Sequence, residues 1–488
     1  MPGNYMPSAV ELFRFSPELL LTAAGTLLMI LEAITSPKQK WLLPVFAFAS
    51  LLAALVLAVA GAGDPGPAFN HMLEVDGFAT FFRVLVIAVG AVTILISTNY
   101  LKVAEHEGGE YYALVLFSII GQCLMATANE LIMVFIGIEV SSIATYVLAG
   151  YLRDDKRNNE AALKYFLLGS FATAFLLYGV AWIYGTTGST NLTDIRRLLM
   201  DPQNAPNSIL LVAALGLVLV GLLFKVSAVP FQSWAPDVYQ GAPAPVTAFM
   251  SVGPKAAAFA AFLRITMWGF EPAKGNWGPV LWFTAIATMV VGNFAALRQS
   301  NVKRLLAYSS IAHAGYVLVA LTAASKTGTE AAMFYMASYA AMNLGAFAVI
   351  THVARKGERF VEVSDFAGLG TRQPITAAMF TVFLLSLIGV PLTGGFFAKF
   401  YVFKAALDSN LIALTIVGLL NSAVAAYYYL RLIVTMYMQP VPDGVESLPT
   451  PSAGIQLALI ISCAATVILG VFPSLVLDIA SRGATFIR

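Results

Sequence analysis

Apolar residues run along this chain in long uninterrupted blocks, separated by short clusters of polar residues, glycine and proline. A helix needs about 20 apolar residues to cross the hydrocarbon core of a bilayer. Blocks of that kind recur fourteen times, at about 16–35, 41–61, 77–99, 111–128, 130–152, 160–186, 207–240, 243–268, 277–297, 301–323, 329–353, 374–406, 410–438 and 452–479. The pattern lacks the strict alternation of half-buried strands, and the connecting stretches are too short for a soluble domain. It predicts an all-α polytopic membrane protein with about fourteen transmembrane helices. Two blocks, 207–240 and 374–406, are too long for one straight span and contain proline and glycine. Proline removes a backbone hydrogen bond and clashes with the preceding turn. In lipid the freed groups must be satisfied by protein or by water in a cavity. Both blocks are therefore expected to be discontinuous helices, broken near Pro230 and Pro391.

The broken blocks are the seventh and the twelfth, so each is the fourth member of a group of five. An odd number of spans turns the second copy upside down, and such inverted repeats bring broken helices together near the membrane midplane. The expected organisation is an N-terminal three-helix flank (1–105), a first five-helix repeat (106–275), a second, inverted five-helix repeat (276–440) and a C-terminal helix (441–488). Lys225 precedes Pro230, whereas Lys399 follows Pro391, a local trace of that inversion.

Composition agrees: 59% of the 488 residues are apolar and only 11% are charged. A net charge of +2 argues against nucleic acid as a partner and leaves the lipid bilayer as the first one. Cys123 and Cys463 lie inside apolar blocks, away from any cluster or zinc spacing, and read as packing residues. The N-terminus has no positive n-region or small-residue cleavage site, so insertion is expected to rely on the first helix. Lysine and arginine number thirteen in the loops on one side and seven on the other, Arg488 among the seven. The positive-inside rule then places both termini outside, in the periplasm of a Gram-negative host. The string Gly61 to Gly66 mimics a dinucleotide fingerprint, but no strand precedes it and it reads as a turn.

Most charges fall in loops or at helix ends, where solvation or snorkelling accounts for them; Arg14, Glu32, Arg264, Lys404 and Arg431 belong there. Asp76 and Arg83 share a face of the third span and are expected to pair. Five others are harder to explain: Glu139 mid-way along the fifth span, Lys164 in the sixth, Lys225 at the first break, Lys255 in the eighth span and Lys399 just past the second break. A charge at the centre of a membrane helix costs about 2.5 to 3.5 kcal/mol on insertion scales, so such residues usually mark pathways. Lys164 lies one turn from Glu160, and an ordinary i,i+4 pair competes with a functional reading. Lys255 follows Gly253-Pro254, where close packing with snorkelling competes. Lysine suits proton transfer because low dielectric disfavours its charged form and a nearby carboxylate restores it. His313, within Ser309-Ser310-Ile311-Ala312-His313, is placed to relay protons between the two halves, unless it is a neutral histidine bonded between helices.

The run from Phe224-Lys225 through Pro230-Phe231, Trp234-Ala235-Pro236-Asp237-Val238-Tyr239 and Gly241-Ala242-Pro243-Ala244-Pro245 to Lys255 resembles the signature of the antiporter-like membrane subunits of respiratory complex I, the NADH-quinone oxidoreductase. Asn301-Val302-Lys303-Arg304 to Ile311 and Gly389-Val390-Pro391 to Lys399-Phe400 continue the resemblance, which covers roughly spans four to thirteen. The Asp237-to-Pro243 wording and a lysine at 399 are most similar to the N-type subunit. The resemblance implies a proton-translocating role with Glu139 and Lys225 as a carboxylate–lysine pair, Lys164 as an additional lysine, Lys255 as the central lysine, Lys399 as the outlet and His313 on the central axis. It also implies a bacterial inner-membrane location and other complex I membrane subunits as partners. NADH, FMN, iron–sulfur clusters and quinone would be bound by other subunits, with no cofactor in this chain. A cation/proton antiporter subunit of the same fold, or a structural membrane spacer, are the alternatives.

Overall fold

The computed structural model describes residues 6–201, 208–441 and 448–486. Arg488, and residues 442–447 at the start of the expected C-terminal unit, lie outside the described residues. The helices are α1 (Ala9–Arg14), α2 (Ser16–Ile34), α3 (Leu42–Gly61), α4 (Gly77–Ala104), α5 (Gly109–Thr127), α6 (Leu131–Ala149) and α7 (Lys156–Thr187). After them come α8 (Leu192–Met200), α9 (Ser208–Lys225), α10 (Trp234–Gly241), α11 (Ala244–Arg264), α12 (Lys274–Ala296), α13 (Val302–Thr322) and α14 (Lys326–Ala354). The chain ends with α15 (Leu369–Arg372), α16 (Pro374–Ile388), α17 (Gly394–Asp408), α18 (Ile412–Met438), α19 (Ala453–Val471) and α20 (Ser474–Gly483). Among the described residues twelve helices are long and apolar enough to cross a membrane, and the apolar helices Ile209–Lys225 and Pro374–Ile388 are shorter. The fold is an all-α polytopic membrane bundle in which some helices are discontinuous.

Helix ends gather at two opposite ends of the bundle. At the basic end Lys40 reaches the Glu107 carbonyl at 2.9 Å, Arg157 the Gly357 carbonyl at 2.9 Å and Lys356 the Glu105 carboxylate at 2.7 Å. Polar caps fix where helices start there, as Asp155 does for α7 and Asn301 for α13. At the other end, β1 (Gly66–Ala68) and β2 (Leu73–Val75) form an antiparallel hairpin with Gly66 opposite Val75. Three-residue strands leave no periodic trace, so this hairpin was not legible in the pattern. Arg14 holds it, donating to the Asp64 carbonyl at 2.9 Å and the Pro67 carbonyl at 2.8 Å.

Nearly every residue of α11, α13 and α14 is buried, which makes these three helices the centre of the bundle. Lipid tails are as apolar as leucine, so membrane helices associate through close packing of small residues and interhelical hydrogen bonds. The alanines of α11 supply the first, and the serines, tyrosines and asparagine of α13 and α14 the second. The peripheral helices turn large apolar side chains outward, Phe171 and Phe283 for example, as a bundle immersed in hydrocarbon requires.

The expected pairing of Asp76 with Arg83 does not form. Asp76 caps α4 by accepting from the Ala79 amide at 2.7 Å, and its two oxygens receive Arg264 at 2.9 and 3.0 Å. Arg83, two turns further along α4, instead meets Glu18 of α2, with Nε at 2.9 Å and a second guanidinium nitrogen in closer contact. Seven helical residues span about 10 Å, too far for a carboxylate already folded back onto its own helix start. Arg264 is likewise no snorkelling end residue, being only 3% exposed.

Glu18 and Arg83 are both essentially unexposed, so removing one partner leaves a buried charge. Such losses are strongly destabilising, about 3–5 kcal/mol, whereas replacing both partners by apolar residues is often neutral. Glu18→Leu or Arg83→Met alone is expected to lower the thermal unfolding temperature of the purified protein much more than the double variant does. Equal losses in all three would contradict this account of the α2–α4 contact.

Candidate functional site

At the first break α9 stops at Lys225, and the chain turns through 226–233 before α10 begins. Ser227 has φ +60° and the Val229–Pro230 peptide is cis. Backbone groups at the break are satisfied: the Phe224 carbonyl accepts from the Ser227 amide at 3.0 Å and from Trp234 Nε1 at 3.1 Å, and the Val229 amide donates to Thr288 Oγ1 at 3.0 Å. Trp234 stacks on Tyr165 of α7 at 4.5 Å between centroids, which fixes α10 laterally. The partly buried Lys225 amine donates to Ser142 Oγ at 2.7 Å and to Tyr146 OH at 3.3 Å, both on α6. Glu139 lies one turn before Ser142 on the same face. No ion pair within 4.0 Å joins it to Lys225, and among the described residues Glu139 Oε1 is buried without a hydrogen-bond partner. Glu139 and Lys225 thus sit at the same break, with the amine bonded to hydroxyls of α6.

Lys255 lies at the centre, 3% exposed, where its amine meets the carbonyl of Ser310 at 3.2 Å and the Ser310 hydroxyl more closely. From α13 the polar contacts continue. Ser309 Oγ shares a short hydrogen bond with Tyr429 OH, and His313 Nε2 lies 3.3 Å from the same phenol. His313 Nδ1 lies 2.6 Å from Tyr335 OH of α14. One turn before Lys255, Ser251 accepts from Asn343 Nδ2 at 2.7 Å. His313 is therefore bonded between helices by two tyrosines.

At the second break α16 ends at Ile388, Gly389 turns at φ +94°, and α17 starts at Gly394. The buried Lys399 amine donates to the carbonyls of Leu387 (3.1 Å) and Ile388 (2.7 Å) and to Ser422 Oγ at 2.8 Å. These are carbonyls that lost their intrahelical donors when the helix stopped, and a cation at a helix C-terminus also opposes the macrodipole. Gly395 makes the junction possible. Its amide donates to Ser386 Oγ at 3.0 Å, and a Cβ there would come within 1.8 Å of the Ser386 carbonyl. Beyond the break, the Lys399 amine lies 5.0 Å from the Tyr316 ring centroid, and the Tyr316 ring packs edge-on against His313 at 5.7 Å.

Lys164 is elsewhere. Its side chain is 41% exposed and bonds Glu160 and Asp237 at 2.8 Å each. Asp237 also receives Arg304 at 2.7 Å, and the group lines a cavity of about 250 Å³ at the basic end with Arg157, Asn301 and Glu358. The i,i+4 partner offered by the sequence is present, joined by a second carboxylate from α10. Of the six candidates, the structure puts Lys255, His313 and Lys399 on or beside one another's polar neighbours, holds Glu139 and Lys225 at the first break, and leaves Lys164 at the mouth. Sequence reasoning missed Ser142, Tyr146, Tyr335, Tyr429 and Ser422. The doublets Ser141-Ser142 and Ser309-Ser310 were the available signal, since paired hydroxyls inside apolar blocks have no packing reason to be there. Among the described residues no group of three or more His, Cys, Asp and Glu side chains is placed to hold a metal ion.

The family described as NADH:quinone oxidoreductase/Mrp antiporter matches residues 128–425. NADH-quinone oxidoreductase subunit N 1 of Solibacter usitatus (strain Ellin6076) is 58% identical over 488 residues, covering 100% of both chains. NADH-quinone oxidoreductase subunit N of Trichlorobacter lovleyi is 45% identical over 478 residues, 98% of each chain. A chain in the structure of respiratory complex I from Thermus thermophilus with bound aureothin is 35% identical and has a TM-score of 0.81, covering 96% of this chain and 100% of that one. With lysines held at two helix breaks and this similarity running end to end, the chain belongs to the NADH:quinone oxidoreductase/Mrp antiporter family of membrane subunits, among its subunit N members.

Proposed function

We propose that this chain is a proton-translocating membrane-arm subunit of a bacterial NADH-quinone oxidoreductase. In this reading electron transfer from NADH to quinone takes place on other subunits and drives protons through Glu139, Lys225, Lys255, His313 and Lys399. The observation that carries it is the set of partners chosen by the three inner lysines. Among the described residues Lys225, Lys255 and Lys399 hydrogen-bond only hydroxyls and backbone carbonyls, and none has an ion-pair partner there. A structural lysine in hydrocarbon is held by a carboxylate; one bonded by neutral groups can lose its proton without leaving an unpaired anion behind. Glu139 lies one helical turn from Ser142, the partner of Lys225, so a charge arriving at this break is near both groups. The hydroxyls of Ser310, Ser309, Tyr429 and Tyr335 each donate and accept, which suits proton passage past His313. Lys164 belongs with Asp237 at the basic-end mouth, where exchange with water takes place. In this reading NADH, FMN, iron–sulfur and quinone chemistry belongs to partner subunits, as the family membership implies.

The same reading treats 106–275 and 276–440 as inverted repeats. In support, the pair α9–α10 runs from the hairpin end to the basic end, whereas α16–α17 runs the opposite way, with Ser409 bonded to the Ala323 carbonyl at the hairpin end. Counting each broken pair as one span brings the twelve long helices to fourteen. An even number places both termini on one side, and the lysine and arginine bias makes that side the periplasm of the bacterial inner membrane.

Lys225→Ala and Lys399→Ala should each reduce NADH-driven proton pumping at least tenfold in inverted membrane vesicles, with the complex still assembled on native gels. Wild-type pumping by either assembled variant would contradict the assigned carriers. Cysteines introduced as Ser8→Cys and Ser481→Cys should react with an impermeant maleimide in right-side-out spheroplasts. Reaction only in inverted vesicles would reverse the topology.

A further inference from the structure

One buried ion pair takes no part in the polar line. Lys303, in the first turn of α13, has no exposed surface, and its amine contacts the Glu358 carboxylate and the Ala242 carbonyl. Glu358 lies in the loop after α14. Its Oε1 accepts from the Ala244 amide at 2.6 Å and from the Tyr100 hydroxyl at 2.8 Å. Ala242 is the C-cap of α10 and Ala244 is the first residue of α11. The cation therefore meets the carbonyl end of one helix, and the anion meets the amide end of the next. Each charge matches the polarity of the helix end that it touches.

Two further observations show that this arrangement is specifically built. Glu358 is a non-glycine residue at φ +49°, a backbone conformation that persists where the surroundings over-determine it. Gly241, just before the junction, would bring a Cβ within 2.7 Å of the Arg157 carbonyl, so α7 closes on the same point from the other side. α10 has only eight residues. At its start Trp234 bonds the Phe224 carbonyl beside Lys225, and at its end Ala242 bonds Lys303. It is a strut between the break and the pair. Downstream, Ala244 and Lys255 lie three turns apart on α11, and Lys303 lies two turns before Ser310, the partner of Lys255, on α13.

We propose that Lys303 and Glu358 form a polarity-specific clamp on the α10–α11 junction, acting as positioning residues that hold α10 against Lys225 and set the register of Lys255 against Ser310. The positioning part rests on the relay reading above; the clamp itself does not. An ordinary buried ion pair is indifferent to which partner carries which sign, but a pair wedged between two helix ends is not. Exchanging the charges would turn a lysine toward the Ala244 amide and a glutamate toward the Ala242 carbonyl.

The test uses the assembled complex in membranes with three changes: Glu358→Gln, Lys303→Arg, and the swap Lys303→Glu with Glu358→Lys. Deuterium exchange of the peptide covering 240–248 reads the clamp, and protons pumped per NADH oxidised reads the positioning. Glu358→Gln is expected to speed exchange at this junction at least tenfold and to lower the proton-to-NADH ratio. The swap should restore neither, and Lys303→Arg should keep both near wild type. Restoration by the swap, or unchanged exchange in Glu358→Gln, would overturn the clamp. Faster exchange with an unchanged ratio would overturn the positioning role. Failure of the relay reading is separately visible as normal pumping in Lys225→Ala, which leaves the exchange result standing. If the swap does not assemble although Glu358→Gln and Lys303→Arg do, the reversed pair is not tolerated, as a polarity-specific clamp requires.

Discussion

A backbone carbonyl that has lost its donor has nowhere to turn in hydrocarbon, and the interior of this protein is arranged around that constraint. Leaving such a group bare costs several kcal/mol, and placing a lysine at mid-membrane costs about 2.5 to 3.5 kcal/mol. Where α16 stops, these two penalties offset each other: the Lys399 amine fills the carbonyls of Leu387 and Ile388. The first break is solved differently. There the Phe224 carbonyl accepts from the Ser227 amide and the Trp234 indole, and the lysine bonds the hydroxyls of Ser142 and Tyr146. At the second break the broken helix and the buried amine therefore belong to one device, whereas at the first each finds its own partners.

The packing follows from the same physics. Charged and polar groups cannot face lipid, so they collect on the most enclosed helices, α11, α13 and α14, whose small residues let the backbones approach. Lys255, Ser310, His313 and Tyr335 are consequently all within this inner group. At the basic end, exposure to water relaxes the constraint and ordinary ion pairs return, as for Lys164 with Glu160 and Asp237. The amines of Lys225, Lys255 and Lys399, bonded to neutral groups, therefore differ in kind from those of Lys164 and the buried Lys303, bonded to carboxylates. That contrast is the physical basis for treating the inner set as proton carriers.

Much of this was legible from residue order. Block length gave the helices, and prolines 230 and 391 gave the breaks, because in lipid both signals have few competing explanations. Lys255 and Lys399 stood out for the same reason. Tyr335 and Tyr429 did not, since a tyrosine in an apolar block reads as core and its hydroxyl partner lies on another helix. Lys303 does not stand out in the sequence, because its partner is 55 positions away in a connecting segment. Asp76 and Arg83 were paired by proximity along one helix, whereas helix packing supplied each with a nearer partner from elsewhere. Helical periodicity reports one element at a time, and these contacts exist only between elements.

The central claim is that the inner amines, hydroxyls and imidazole form one connected polar path. The most direct measurement is a cryo-EM map of the assembled complex at a resolution that shows ordered water. The account predicts water molecules linking Lys225 to the Ser310–Lys255 contact and His313 to Lys399, within hydrogen-bonding distance of the named side chains. Apolar side chains packed dry across those intervals, or lysine amines turned outward to lipid headgroups, would contradict it.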